Sequence, residues 1–294
     1  METMELPLVV GVDGSDSSLL AVDWAVDEAA RHGLPLRIVH ASLWERYEGV
    51  LPSTSPNRPS EQVMADNIVA GAAERAGRRH PEVKVVTDVL PEEPADALLR
   101  EAEDATALVT GNRGRGELQG LLLGSVGLIV AARAHCPVIV VRGDRPGREG
   151  THERILLGAG EPATSAAAVR FAFREAEARR STLDVVRAWR CPAHETADHP
   201  LLAGHEGHEH EDHASTLLDA VLHDAAADHP GVTVRRATVE GPARKVLLNR
   251  SAAADLVIIG ARRRTGHFGL QLGRVGHTLL HHAQCPVAIV PQPV

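Results

Sequence analysis

Aromatic side chains make up only 2% of this 294-residue chain, so its core must be built from alanine, valine, leucine and isoleucine. The same scarcity removes the stacking platforms on which proteins hold unpaired bases. Lysine is nearly missing, with Lys84 and Lys245 the only two, and 39 acidic residues face 31 basic ones for a formal charge of -8. A chain without a basic footprint is not expected to have nucleic acid as its main partner. The three cysteines, Cys136, Cys191 and Cys285, are far apart and form no CxxC, which argues against a disulfide framework and for a reducing compartment. No uninterrupted apolar run approaches the roughly 20 residues of a membrane span. The opening METMELPLVV has neither a basic n-region nor a long apolar h-region, so no secretory signal is expected. The expectation is a cytoplasmic protein with no membrane partner. There is no G-x4-G-K-[S/T] loop and no nucleophile–base pair or catalytic carboxylate pair at a recognisable spacing, so no catalytic residue is assigned.

What the chain does have is one unit written twice. LVVGVDGSDSSLLAVDWAVDEAA is answered by ILLGAGEPATSAAAVRFAFREAE, with Gly11 opposite Gly158 and Trp24 opposite Phe171 at an offset of 147. HCPVIVV is answered by QCPVAIV, with Cys136 opposite Cys285 at an offset of 149. So small a drift across half a chain indicates tandem duplication. GDRPGREGTHE, Gly143 to Glu153, has linker composition. The expected division is a first domain over 1–143, a linker over 144–153 and a second domain over 154–294.

Each copy alternates short apolar runs with helical patterns. In the first, LPLVVGV precedes a helix marked by Leu19, Val22, Val26 and Ala29 that stops at Gly33. PLRIVHAS, a Pro/Ser-rich loop, a helix through about Arg79, KVVTDVL, a helix from about Pro94, TALVTG, a helix from about Gly124, and PVIVVR follow. Continuous rather than alternating apolar strands imply an α/β fold, a parallel sheet with helices on both faces. Such sheets bind ligands beyond the strand ends where strand order reverses. The first strand ends at Val12-Asp13-Gly14, and TALVTG runs into GNRGRGELQGLLLGS, Gly111 to Ser125. A helix starting at Gly124-Ser125 offers free N–H groups and the positive end of its dipole. Glycines let backbone approach an anion without Cβ clashes. The physical reading is a phosphate site, against the plainer reading of a surface loop shaped by glycine.

The spacing Gly111-x2-Gly114-x9-Gly124-Ser125, with Asp13 ending the first strand, VHA ending the second and HCPV opening the last, resembles the ATP-binding class of universal stress proteins. The resemblance covers both halves and is similar to the tandem, actinobacterial type. It implies two open five-stranded parallel sheets of strand order 3-2-1-4-5, paired through their last strands as an internal pseudo-dimer, with a further homodimer left open. It implies an adenine nucleotide, ATP with Mg, as cofactor and partner. Carried over, Asp13 lies near the ribose or the metal, beside Gly11, and the Ala41 backbone meets the adenine edge. Gly111, Arg113 and Gly114 approach ribose and phosphates, with Arg115 and Gly116 in the same segment. Gly124, Ser125 and Val126 supply helix-start donors. Arg113 and Arg115 are the softer assignments, because loop arginines are more often solvated.

The second half departs from this pattern. In GARRRTGHFGLQLGR, Gly260 and Gly273 are kept, but Arg263 takes the second glycine position and Arg274 the serine position, while Gly160 stands opposite Asp13. The second half is therefore read as degenerate for ATP, although Arg262, Arg263, Arg264 and Arg274 keep an anion in play. HETADHPLLAGHEGHEHEDH, His194 to His213, holds six of the 17 histidines and is expected to be an exposed, poorly ordered loop. The leading expectation is a nucleotide-dependent stress-response or regulatory module. The alternatives are a slow ATPase or self-phosphorylating enzyme, and a metal buffer using the histidine loop.

Overall fold

The computed structural model describes residues 6–43, 61–114, 123–162, 165–190, 203–262 and 272–292. The chain divides into two compact units, Met1–Arg142 and Gly143–Val294.

In the first unit, β1 (Leu8–Gly11), α1 (Asp16–His32), β2 (Leu36–Ala41), α2 (Glu61–Arg79) and β3 (Val85–Leu90) follow one another. They lead to α3 (Pro94–Glu101), β4 (Ala107–Gly111), α4 (Ser125–Arg133) and β5 (Val138–Val141). The strands form a parallel sheet in the order β3-β2-β1-β4-β5, as expected. Val9, Val10, Ile38, Leu108, Val109 and Val140 are buried, which is why these runs are apolar without alternation. Helix α1 shows how the sequence sets local structure. The Ser15 hydroxyl caps its start by accepting from Ser18 N, and Gly33 ends it at φ 66°, a left-handed turn that glycine adopts without Cβ strain. Its buried face mixes Ala21, Ala25 and Ala29, all fully buried, with Val22, Val26 and the larger Trp24. On its outer side Asp23 and Asp27 each take a two-pronged bond from Arg75 and Arg79 of α2. These partly exposed pairs add little stability but fix how the two helices align.

The second unit begins inside the stretch of linker composition. There α5 (Arg145–Glu149) is capped by the Asp144 carboxylate, which accepts from Gly147 N at 3.0 Å, and Asp144 N donates to Gln284 O at 3.0 Å. Next come β6 (Arg154–Gly158), α6 (Ala166–Arg179), β7 (Thr182–Trp189), α7 (Ala203–Asp228) and β8 (Val234–Glu240). The unit closes with α8 (Ala243–Arg250), β9 (Leu256–Arg262), α9 (Arg274–His282) and β10 (Val287–Gln292). Its parallel order is β8-β7-β6-β9-β10, the same plan. The fully buried Asp255 carboxylate accepts from His152 N and Arg154 N, each at 2.9 Å, and ties the entry of β6 to β9.

The structure corrects the expected histidine loop. Residues 203–213 are the first turns of α7, while residues 194–202 lie outside the described residues. The cause is downstream. Ala214, Leu218, Leu222 and Ala225 form a buried stripe at helical spacing, and once that anchor nucleates a helix each further residue extends it at little cost. Glu206–His210 and Glu209–His213 also stand at the i,i+4 spacing that supports a helix, and the His210 ring stacks on Trp189 with centroids 6.3 Å apart. No helix among the described residues is long and apolar enough to cross a membrane.

Two predictions follow from burial. Asp255→Ala strands two backbone donors inside the second unit and is expected to cost about 2–3 kcal/mol, read by urea unfolding. A wild-type midpoint would show that these bonds do not hold β6. Burial pushes the Cys136 thiol up to about 11, and Cys285 is also buried. At pH 8 neither should react with iodoacetamide in the folded protein, and both should react after unfolding, by mass spectrometry.

Candidate functional site

Strand order in the first unit reverses at β1, which has β2 on one side and β4 on the other, with Val10 level with both Ile38 and Val109. Beyond the carboxyl ends of these strands lies a cleft of about 470 Å³. Gly11 and Asp13 reach it from β1 and Ala41 from β2. Gly111, Arg113 and Gly114 reach it from the end of β4, and Gly124, Ser125 and Val126 from the start of α4. The structure thus brings nine of the expected site residues to one cleft; Arg115 and Gly116 lie outside the described residues.

Hydrogen bonds fix the tip of β1. Val12 N donates to Val39 O at 2.9 Å, and Val12 O accepts from His40 Nδ1 at 2.7 Å. A carbonyl only accepts, so this nitrogen carries the proton. Asp13 follows, its Oδ1 accepting from Ser15 N at 3.0 Å and from the Ser15 hydroxyl at 2.6 Å. The glycine segment is tied at both ends. Ser17 Oγ donates to Asn112 Oδ1 at 2.7 Å and accepts from Arg113 N at 3.2 Å, and Gly124 N donates to Asn112 O at 2.9 Å. Helix α4 then starts on Gly124 with no side-chain cap. The N–H groups of Ser125, Val126 and Gly127, which helix geometry leaves without intrahelical acceptors, open at the cleft. Arg113 is exposed.

The glycines are there for different reasons. A Cβ on Gly111 would lie 2.7 Å from the Ser17 carbonyl oxygen, which is backbone and cannot yield. On Gly114 it would lie 2.7 Å from Asp13 Oδ2, and on Gly124 it would meet nothing closer than 3.7 Å. The second position therefore makes room for the carboxylate, and the third leaves space on the cleft side. Ser15, Ser17, His40, Thr110 and Asn112 were not singled out in the sequence as site residues. A polar residue ending an apolar strand was the available signal for His40 and Thr110, which are 8% and 5% exposed.

In the second unit the same edge is built differently. Gly160 replaces Asp13, and a Cβ there would stand 3.2 Å from Ser165 Oγ. Arg187, at the position of His40, donates to Gly160 O and, at 2.6 Å, to Glu161 Oε1. A guanidinium thus stands near the strand tip where the first unit has a carboxylate. Arg274 begins α9 and is exposed, while Arg263 and Arg264 lie outside the described residues. In α7, no three potential metal donors among the described residues lie within 4.8 Å of one another.

The model of the universal stress protein family matches residues 6–142 and 151–291. A universal stress protein of Mycobacterium tuberculosis is 31% identical over 304 residues, covering 97% of each chain. A solved universal stress protein of Archaeoglobus fulgidus DSM 4304 shares the fold at a TM-score of 0.64 and 15% identity, covering 98% of both chains. Another from Archaeoglobus fulgidus, solved in complex with dAMP, is 26% identical, covers 48% of this chain and 100% of its own, and has a TM-score of 0.36.

The Gly114 contact makes a testable statement. Gly114→Ala should destabilise the ligand-free protein by about 1–2 kcal/mol, and this cost should shrink towards zero in an Asp13→Gly background. Gly111→Ala should destabilise equally in both backgrounds, because its obstacle is backbone. Urea unfolding of the four pairings checks it; an equal cost of Gly114→Ala with and without Asp13 would remove the carboxylate as the reason for the glycine.

Proposed function

The chain belongs to the universal stress protein family, and from that premise we propose that its first unit binds an adenine nucleotide, ATP with Mg²⁺, as a regulatory module. The observation that carries the reading is the uncapped start of α4 opening into a cleft at the point where strand order reverses. Ser125, Val126 and Gly127 N–H groups would receive phosphate oxygens, helped by the helix dipole and by Arg113. Asp13, held by Ser15, would take the ribose hydroxyls or share a Mg²⁺ with the phosphates. A hard cation accepts a single carboxylate when phosphate and water complete its shell, so the residues present fit it. Adenine would lie along the Ala41 backbone. A bound nucleotide shifts the conformation or partner choice of such a module only through different affinities for the two states.

In this reading the second unit is silent for ATP. Support comes from the absent carboxylate at Gly160 and from Arg187 and Glu161 occupying that strand tip. Pairing of the halves through their last strands, and cytoplasmic residence, belong to the same reading. Slow hydrolysis or self-phosphorylation is the competing function, and phosphate release or label incorporation under the same conditions separates it.

Denaturing the purified protein and quantifying released nucleotide by chromatography and mass spectrometry tests the reading. About one ATP per chain is expected. Two per chain would end the silence of the second unit. None, with no heat of ATP binding in Mg²⁺, would end the nucleotide reading itself.

A further inference from the structure

Thr110 is the last residue of β4 before Gly111, and its hydroxyl has no hydrogen-bond partner among the described residues. A hydroxyl offers one donor and two acceptor sites, and burying it without a partner is unfavourable. Valine would fill similar space without that penalty, and the matching position of the second unit holds an apolar residue, Ile259. The hydroxyl is therefore kept in the unit whose cleft motif is intact and dispensed with where the motif has decayed. Buried unsatisfied groups are rare enough in native proteins to require a reason.

Its position supplies one. Thr110 lines the cleft, and a Cβ placed on Gly127, in the first turn of α4, would lie 3.5 Å from the Thr110 Oγ. The hydroxyl thus sits beside the turn that presents the N–H groups of Ser125, Val126 and Gly127. An oxygen bound by those donors carries further lone pairs and can accept another hydrogen bond. We propose that Thr110 is a ligand-binding residue, its hydroxyl donating to an anionic phosphate oxygen seated on the start of α4. This rests on the nucleotide reading and adds a side-chain contact that the glycine–serine spacing does not encode. The ligand-free protein bears the unsatisfied hydroxyl, and the ligand relieves it.

That gives Thr110→Val two effects of opposite sign. In protein stripped of nucleotide, Tm should rise or hold. Affinity for ATP and AMP by calorimetry should fall about 10- to 150-fold, the loss expected for one hydrogen bond to a charged group. Adenosine, which has no phosphate, should bind Thr110→Val and wild type alike. Thr110→Ser, which keeps the hydroxyl and loses the methyl, should bind ATP like wild type. Unchanged ATP and AMP affinity in Thr110→Val overturns the assignment while leaving the nucleotide reading intact. So does an equal loss for adenosine, a Ser variant as weak as the Val variant, or a fall in the ligand-free Tm, which would mean the hydroxyl is already satisfied. A wild type that binds none of the three ligands overturns the nucleotide reading and this assignment together.

Discussion

At Gly111 the backbone of β4 runs so close to Ser17 of α1 that a β-carbon would lie 2.7 Å from the Ser17 carbonyl oxygen. The rest of the cleft depends on this approach. It brings Ser17 Oγ within reach of Asn112 and Arg113, which anchors the departing chain, and Asn112 O then receives Gly124 N. The loop is thereby closed at its base, and α4 must begin beside the tips of β1 and β4. At this approach the first turn of α1 is held by Ser15, whose hydroxyl accepts from Ser18 N.

The two units share a sheet order but differ in the charge at the corresponding strand tip. In the first, His40 secures the Val12 carbonyl and Asp13 emerges as a carboxylate supported by Ser15. In the second, Arg187 stands at the His40 position and bonds to Gly160 O and to Glu161. A salt-bridged guanidinium and a serine hydroxyl beside Gly160 replace the carboxylate arrangement of the first unit. Duplication preserved the hydrogen-bonded sheet, which every strand needs, while the strand tips were free to diverge because they contribute little to the core.

Much of this was legible in the sequence, for reasons that differ by element. The parallel α/β class followed from continuous apolar runs joined by helices, whereas the strand order came from the resemblance to the universal stress proteins. The site residues from Gly11 to Val126 were carried over from the resemblance position by position, and nine of them line the cleft. The first turns of α7 were not legible, because a run rich in glycine and histidine has weak helix propensity and its helicity is borrowed from the buried stripe beginning at Ala214. Nor were Ser17, Asn112 and Thr110. Their importance lies in contacts across 95 residues of chain, or in the lack of a contact, and neither leaves a periodic trace.

The glycine motif reads as one pattern but combines constraints of different origin. Gly111 answers to the backbone of α1, Gly114 to the Asp13 carboxylate, and Gly124 to no close protein neighbour. Such a motif should decay in pieces, each position going when its own reason goes. The second half fits that account at the position where the contact is specific: the carboxylate is gone at Gly160, and the glycine that would have made room for it has become Arg263. Once no carboxylate needs the space, the physical reason for a glycine at that position is gone. Losing Asp13's counterpart and losing Gly114's counterpart are then one event in physical terms, and the first unit keeps both.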